Sequence, residues 1–292
     1  MTERGCLDDG VRTARARSES RAGHGELAAQ LAGDRDQERL LERAERIRGC
    51  ALLRLSGRAD AGIVALDPRQ RYAVDGGRYV ASASTVGPWD PKLQHGGPVA
   101  ALLGTRLEAG SAMRVAHFSL DFLSPVPVAT LEVTTAVERP GKKIELRSAL
   151  VAVDGKPRAR ASAWLLATAP GRAPEIGTRE PVPPMPETAT STYFADVPRF
   201  GYGDALEWRF AEGHFAEIGP AATWTKLRVG VVEGEEPTPL GRVLAMIDSA
   251  NGISAELDVR QFLFVPVNLT VSLMRPPDGE WVGMRAETQI AS

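Results

Sequence analysis

A run of five apolar residues directly after a glycine-rich turn constrains the fold of this chain more than any other stretch. The turn contains Asp90-Pro91 and His95-Gly96-Gly97, and the apolar run extends from Val99 to Leu103. Pro98 suits the first turn of a helix, because its missing N–H costs no hydrogen bond there. A helix that is apolar on every side must be enclosed by protein, so the sequence predicts a buried helix beginning near Pro98.

The start of this helix is also a candidate site. Gly96 and Gly97 allow a close approach of other groups, because neither residue carries a Cβ. The first N–H groups of a helix have no partner within the helix and can stabilise an oxygen that carries partial negative charge. Short His-Gly-Gly sequences also occur by chance, so this prediction depends on the rest of the chain.

The sequence around the helix predicts a mostly antiparallel sheet. Before the turn, Tyr72–Ala83 is predicted as one strand, and after the helix Phe118, Leu120 and Phe122 alternate with polar residues. Asp154-Gly155 is typical of a tight hairpin turn. Four strands are predicted after the helix, at residues 115–125, 130–138, 144–153 and 158–168.

The second part of the chain repeats this pattern. Residues 239–246 align with residues 95–102 at the helix start, and residues 268–276 align with the strand at residues 117–125, both ending at a proline. The first copy continues through two further strands, whereas the sequence stops at Ser292. The second copy is therefore expected to lack its last strands and to leave an unpaired edge, which favours a homo-oligomer.

The predicted fold class is α+β, with two antiparallel sheets that each enclose a buried helix. The expected domains are an N-terminal extension at residues 1–70, a first repeat at residues 71–168, a proline-rich linker at residues 169–198 and a second repeat at residues 199–292. Residues 1–33 contain few large apolar side chains and are predicted to be disordered, and residues 34–55 are predicted to form a charged surface helix.

Composition excludes several classes of function. The net charge of −2 provides no basic field for nucleic acid, and no apolar run is long enough to span a membrane, so no stable membrane association is expected. The two cysteines, Cys6 and Cys50, cannot build a disulfide framework or a structural zinc site, and no other spacing suggests a metal. The chain start lacks a signal-peptide core, so the expected location is the cytoplasm.

The motifs of both repeats resemble those of double-hotdog acyl-CoA thioesterases, the thioesterase II type. In the first repeat the resemblance rests on Trp89 and the sequence Gln94-His95-Gly96-Gly97-Pro98. The second repeat contributes a larger set of motifs. These are Asp248-x-x-Asn251-Gly252, Pro266-Val267-Asn268, Arg275-Pro276-Pro277 and the sequence Gly279-Glu280-Trp281-Val282-Gly283. The resemblance covers about residues 70–292 and implies hydrolysis of an acyl-CoA substrate without a cofactor or a metal.

The resemblance also implies a set of catalytic residues. The Gly97 N–H would polarise the thioester carbonyl, and Asp248 would position or deprotonate water. An aspartate within an apolar helix independently suggests a function, because burying a carboxylate is costly. The hydroxyl or amide that helps to hold the water would be Asn268 or Thr270, because Pro266 occupies the family's threonine position. The family's glutamine near the C-terminus would fall in the missing strands.

Trp89, His95, Gly96 and Asn251 are expected to bind substrate or to shape its site. His95 favours a role in fixing the loop by hydrogen bonding over a role as a general base. At the position of Asp248 the first repeat has Gly104, so only one of the two repeats carries the carboxylate.

Three alternatives remain open from the sequence. The chain could be a non-catalytic protein that binds acyl-CoA or an acyl carrier, because the second repeat is short and Pro266 replaces the threonine. It could also be a truncated gene product that folds poorly. A hotdog dehydratase or hydratase is less favoured, because no Asp/His pair occurs in the usual motif of that class.

Overall fold

The computed structural model describes residues 70–169, 171, 181–190, 199–259 and 261–291. The predicted extension at residues 1–69 lies outside the described residues. Two sheets and four short or medium α-helices make up the described part of the chain. The strands are β1 (Gln70–Asp75), β2 (Arg78–Ala81), β3 (Arg114–Phe122), β4 (Thr130–Arg139), β5 (Ile144–Val153), β6 (Lys156–Leu166), β7 (Leu206–Glu212), β8 (Ala221–Leu227), β9 (Gly230–Val232), β10 (Asn268–Ser272) and β11 (Trp281–Ala286). The helices are α1 (Gly96–Glu108), α2 (Gly201–Asp204), α3 (Pro239–Ile247) and α4 (Ala250–Ile253).

Helix α1 is the buried helix that the sequence predicts. Every residue from Val99 to Leu103 has no exposed surface, and these side chains form the centre of the larger hydrophobic core. Phe118 and Leu120 of β3 are also fully buried and belong to the same core. Asp121, the residue after Leu120, points away from this core. The period-two alternation of β3 therefore presents its apolar face to the helix, as predicted.

Eight strands form the larger sheet, in the order β10-β3-β6-β5-β4-β2-β1-β9. Neighbouring strands pair in antiparallel fashion except for β1 and β9, which are parallel. The turn between β5 and β6 is the hairpin predicted at Asp154-Gly155, where both residues have positive φ angles of 51° and 69°. Such angles match the twist of a two-residue hairpin turn.

One strand prediction in the first half is wrong. The stretch predicted as a single strand over Tyr72–Ala83 is a hairpin of β1 and β2, followed by a 3₁₀ turn at Ala83–Thr85. Gly76 and Gly77 form the hairpin turn with φ angles of 55° and 82°, which a residue with a side chain rarely adopts. The pair Gly76-Gly77 is itself a turn signal, and the apolar alternation changes phase across it, so the sequence does contain evidence for the hairpin.

Helices α1 and α3 cross in antiparallel orientation at very close range. A Cβ at Gly97 would overlap the carbonyl oxygen of Ala245, and a Cβ at Gly104 would overlap the side chain of Leu244. At the other end of the crossing, Gly241 lies beside Thr105. A Cβ on Gly241 would be 3.0 Å from the Thr105 Oγ1 atom. The glycines thus let the backbone of one helix lie against the other, and the start of each helix meets the end of its partner.

The second half contributes strands to both sheets. Strands β11, β8 and β7 form a separate three-stranded antiparallel sheet, while β10 joins the larger sheet by pairing with β3. The strand predicted over Phe262–Leu273 is shorter than expected, because only Asn268–Ser272 forms a strand. The strand predicted over Glu280–Ile290 likewise forms only at Trp281–Ala286.

The described part of the predicted linker, residues 181–190, contacts the second half of the chain. The Trp224 indole N–H donates to the Pro183 carbonyl over 2.8 Å, and Arg209 donates to the Pro186 carbonyl over 3.1 Å. The backbone N–H of Thr190 donates to the carbonyl of Trp208. These residues therefore lie along β7 and β8 and do not only connect the two halves.

Candidate active site

The loop before helix α1 ends in a side-chain cap of the helix. His95 is the N-cap residue of α1, and its Nδ1 lies 3.2 Å from the Gly97 nitrogen, where it accepts a hydrogen bond from the Gly97 N–H in the tautomer that has a lone pair on Nδ1. The His95 N–H donates to the Thr85 carbonyl over 2.8 Å, which ties the loop to the 3₁₀ turn. His95 therefore fixes the loop, in the manner expected from the sequence, and satisfies one of the free N–H groups at the helix start.

Asp248 lies directly beside this helix start. The Asp248 carboxylate Oδ2 is 3.0 Å from His95 Nδ1, and the side chain of Asp248 is only 5% exposed. A Cβ on Gly96 would lie 2.6 Å from the same oxygen and 2.6 Å from Phe122, so a side chain at that position would displace the Asp248 carboxylate or the Phe122 ring. The Oδ1 atom of Asp248 is buried and has no hydrogen-bond partner. Because a buried carboxylate oxygen without a partner is costly, this atom is the strongest sign of function in the structure.

The helix ends around Asp248 partly compensate each other. Asp248 caps the C-terminus of α3, where a negative charge is unfavourable. The start of α1 lies beside the same carboxylate, because Gly96 and Gly97 contact Asp248 and Ala245, and a helix start favours negative charge. The crossing of the two helices thus places the carboxylate beside the start of α1.

Three residues that surround the His95–Asp248 pair were not predicted from the sequence. The Tyr202 ring stacks on the His95 imidazole with 3.7 Å between centroids and 5° between planes. The Tyr202 hydroxyl and Ser249 Oγ are 2.6 Å apart, and the guanidinium of Arg71 lies 5.5 Å from the centre of the Tyr202 ring. Tyr202 belongs to α2 and Arg71 to β1, and no local motif links either residue to His95.

Burial dominates the electrostatics of these additional residues. It raises the pKa of Tyr202 well above its ordinary value, although the hydrogen bond with Ser249 acts in the opposite direction. It also lowers the pKa of Arg71, which has no exposed surface. The Arg71 guanidinium donates to the Ser84 carbonyl over 3.1 Å, while its Nε and Nη2 atoms have no hydrogen-bond partner.

Asn268 and Thr270, expected as water-binding partners of Asp248, are not brought to it. Both are exposed residues of β10. Asn268 Nδ2 donates to the Asp121 carboxylate over 2.8 Å, and Thr270 donates to Asn268 Oδ1 over 3.0 Å. In the register of β10 with β3, Asn268 lies opposite Asp121, whose side chain points away from the core that contains α1. The alternation of the strand therefore turns both residues to the outer face of the sheet.

The two other expected substrate-binding residues lie near the pair in sequence. Trp89 is half-buried in the loop before α1, which is closed by the hydrogen bond from the Gly87 N–H to the Leu93 carbonyl. Asn251 is half-buried in α4, the short helix that follows Asp248. Neither side chain forms a hydrogen bond, ion pair or ring contact with His95 or Asp248 in the described part of the chain.

The equivalent position at the other end of the helix crossing lacks this chemistry. There the Gly241 N–H at the start of α3 donates to Thr238 Oγ1 over 2.9 Å. Gly104 stands in the place that corresponds to Asp248 and packs against Leu244. In the described residues, the helix crossing therefore has a buried carboxylate at only one of its two ends.

Other features of the described residues do not offer a competing site. Among them, no group of three or more His, Cys, Asp or Glu side chains is placed to hold a metal ion. No helix in the described part of the chain is long and apolar enough to cross a membrane. A cavity of about 270 Å³ lies beside Gln70, Lys226 and Arg242, and neither His95 nor Asp248 lines it.

Comparisons with known proteins identify the class of this fold and the family of this chain. The structure is similar to a candidate thioesterase II from Thermobifida fusca YX, at 18% identity and a TM-score of 0.57, over 75% of this chain and 84% of the other. A hotdog-fold protein from Alicyclobacillus acidocaldarius matches at 15% identity and a TM-score of 0.53, over 70% and 76% of the two chains. An acyl-CoA thioesterase II from Mycobacterium marinum matches at 14% identity and a TM-score of 0.50, over 75% and 82%. The described part of this chain therefore has a hotdog fold.

Two family models match the chain in succession. The model of the acyl-CoA thioesterase N-terminal domain matches residues 85–166, and that of the C-terminal domain matches residues 179–292. The chain belongs to the thioesterase II-like family of acyl-CoA thioesterases. A search of curated proteins finds no match.

Proposed function

We propose that this protein hydrolyses the thioester of an acyl-coenzyme A at the crossing of helices α1 and α3. The observation that carries the proposal is the buried Asp248 carboxylate, whose Oδ1 has no partner and whose Oδ2 lies 3.0 Å from His95 Nδ1. Membership of the acyl-CoA thioesterase family supports the substrate class. The glycine-rich start of α1 beside the carboxylate supports the reaction, because thioester hydrolysis requires both a donor for the carbonyl oxygen and a base for water.

Each residue has a separate role in this proposal. The Gly97 N–H donates to the thioester oxygen, where negative charge develops in the transition state. Asp248 Oδ1 accepts a proton from water, while His95 holds Oδ2 in place. The water oxygen bonds to the carbonyl carbon, the carbon–sulfur bond breaks, and the proton passes from Asp248 to the sulfur of coenzyme A. The products are a carboxylic acid and free coenzyme A, so atoms and charges balance without a cofactor.

Burial supports this chemistry. His95 and Asp248 have side chains that are 14% and 5% exposed, so hydrogen bonds between the pair and a substrate would form largely out of water. Electrostatic interactions are stronger in such an environment than in bulk solvent.

We further propose that the fold is a double hotdog, with one repeat at residues 71–168, a second at residues 199–292 and the segment 169–198 between them. Two correspondences support this proposal. Helices α1 and α3 cross with the start of each helix against the end of the other, and the corresponding strands β3 and β10 pair edge to edge. In the described residues of the second half, no strands correspond to β5 and β6 of the first half.

The test of the proposed activity is the release of coenzyme A from a panel of acyl-CoA substrates, detected with a thiol reagent. The panel should include short, long, branched and aromatic acyl groups. We expect release from at least one class at a rate proportional to the enzyme concentration. The absence of release from every substrate, with folded protein, would contradict the proposal.

A second candidate is a non-catalytic protein that binds acyl-CoA. This function is favoured by one observation, because the Gly97 N–H is already bound by His95 and the two expected partners Asn268 and Thr270 face outward. Calorimetry with the same acyl-CoA panel separates the candidates. Binding without turnover would support the non-catalytic function, and turnover would exclude it.

A further inference from the structure

Tyr202 contacts His95 directly and is linked to Asp248 through the neighbouring residue, Ser249. Its ring stacks on the imidazole of His95 at 3.7 Å, and its hydroxyl lies 2.6 Å from Ser249 Oγ, the residue that follows Asp248. Tyr202 is only 2% exposed. A single side chain from α2 thus connects the loop before α1 with the end of α3.

The backbone holds Tyr202 firmly in this position. Its N–H donates to the Val86 carbonyl over 2.9 Å. The preceding residue, Gly201, lies so close to the Ala83 carbonyl that a Cβ would overlap it. Helix α2 therefore packs directly on the 3₁₀ turn, and the ring of Tyr202 has little freedom to move away from His95.

The orientation of the His95 ring matters because its Nδ1 atom has two competing contacts. Nδ1 lies 3.2 Å from the Gly97 nitrogen and 3.0 Å from Asp248 Oδ2. A ring nitrogen either carries a proton and donates or carries a lone pair and accepts. With a proton on Nδ1, His95 donates to Asp248 and the Gly97 N–H is released. With a lone pair on Nδ1, the Gly97 N–H is occupied.

We propose that Tyr202 is a positioning residue that holds the His95 imidazole in the plane where Nδ1 can donate to Asp248 and so release the Gly97 N–H for the thioester oxygen. This inference rests on the proposed function for its catalytic consequence. The role requires only that the ring of Tyr202 packs against His95. Its phenol stays protonated, because burial raises its pKa.

Two substitutions separate the ring of Tyr202 from its hydroxyl. Tyr202→Leu removes the stacking on His95, whereas Tyr202→Phe keeps the ring and removes only the hydrogen bond with Ser249. A matched control is Phe210→Leu, which removes an aromatic ring from the second hydrophobic cluster, where Phe210 packs against Trp208 and Phe215. Unfolding midpoints of all three variants show whether each one is folded.

The direct readout is the ¹⁵N spectrum of the histidine rings, with His95 assigned by comparison with His95→Gln. In the unmodified protein and in Tyr202→Phe we expect His95 to show one tautomer, with the proton on Nδ1. In Tyr202→Leu we expect the two ring nitrogens to shift toward the average of the two tautomers. A folded Tyr202→Leu protein with an unchanged His95 spectrum would overturn the inference. If Tyr202→Leu does not fold, averaged nitrogen shifts in Tyr202→Phe would overturn it.

Kinetics supply the second readout. For Tyr202→Leu we expect kcat for acyl-CoA hydrolysis to fall about tenfold or more with little change in KM, because a positioning contact acts mainly in the transition state. Phe210→Leu should retain most of the activity, and Tyr202→Phe should lose less of kcat than Tyr202→Leu. A loss of kcat in Tyr202→Leu without any change in the His95 spectrum would contradict the positioning role. If the unmodified protein has no activity, the proposed function fails, while the spectra still decide the role of Tyr202.

Discussion

At the scale of single residues, the site depends on where side chains are absent. Gly96 and Gly97 leave room for Asp248, Phe122 and the Ala245 carbonyl at the start of α1. The sequence predicted that these glycines permit a close approach of other groups, because neither residue carries a Cβ. It could not predict which residues approach, because Asp248 and Tyr202 come from distant parts of the chain and become neighbours only through the helix crossing.

The two glycines that contact α3 should respond differently to substitution. Alanine at Gly97 would overlap a backbone carbonyl, which cannot move without shifting α3, whereas alanine at Gly104 would overlap the tip of the Leu244 side chain. We expect Gly97→Ala to lower the free energy of unfolding by about 1–3 kcal/mol, the usual cost of overpacking. Gly104→Ala should cost less, because alanine gains about 1 kcal/mol in helix propensity and Leu244 can change rotamer. Denaturant unfolding measures both values, and a larger loss for Gly104→Ala would contradict this explanation.

At the scale of the elements, alternation within strands decides which side chains reach the site. The alignment of the two repeats places Leu269 and Val271 at the core-facing positions of β10, and both residues do face the core. The outward direction of Asn268 and Thr270 was therefore available from the sequence. The family resemblance favoured them as catalytic residues, but the period of the strand excludes them from the inner face. The hairpin of β1 and β2 was also available from the sequence, because Gly76-Gly77 is a turn signal and the apolar alternation changes phase across it.

The outer face of β3 and β10 supports a prediction about Asp121. The Arg160 guanidinium, followed by the Asn268 amide, holds the pKa of the Asp121 carboxyl below its ordinary value. Because the pKa is lower in the folded state, the stabilisation is fully present above about pH 4 and is lost as the pH falls through the lowered pKa.

Replacing either partner should therefore raise the pKa of Asp121. We expect a larger increase for Arg160→Ala than for Asn268→Ala, measured by NMR titration of the carboxyl carbon. If Asn268 acts on the outer face only, Asn268→Ala should also leave the kcat for acyl-CoA hydrolysis within about twofold of the unmodified protein. A much larger loss of kcat would return Asn268 to the catalytic set.

At the scale of the whole molecule, the two halves contribute unequal parts to one site. The first half supplies the helix start with His95 and Gly97, and the second supplies Asp248 and Tyr202. The sequence repeat predicts the same division, because Gly104 replaces the carboxylate in the first copy. The sequence could not predict the His95–Asp248 contact itself, because no local motif contains both residues.

This asymmetry predicts one binding site in each chain. The opposite end of the helix crossing has Gly104 in place of a carboxylate, and Thr238 already binds the Gly241 N–H there. Calorimetric titration with a non-hydrolysable acyl-CoA analogue should therefore give a stoichiometry of about one ligand per chain, whatever the oligomeric state. A stoichiometry of two would mean that the carboxylate is not required for binding and that both ends of the helix crossing accept substrate.

The most direct test of the account is the rate of coenzyme A release by Asp248→Asn. Asparagine keeps the size of the side chain but cannot accept a proton from water, so we expect kcat to fall by about 10²–10⁴-fold, the usual contribution of a general base. Asp121→Asn is the matched control, because Asp121 is a partly exposed aspartate on the outer face of β3 and should retain most of the activity. A folded Asp248→Asn protein that releases coenzyme A as fast as the unmodified protein would contradict the account.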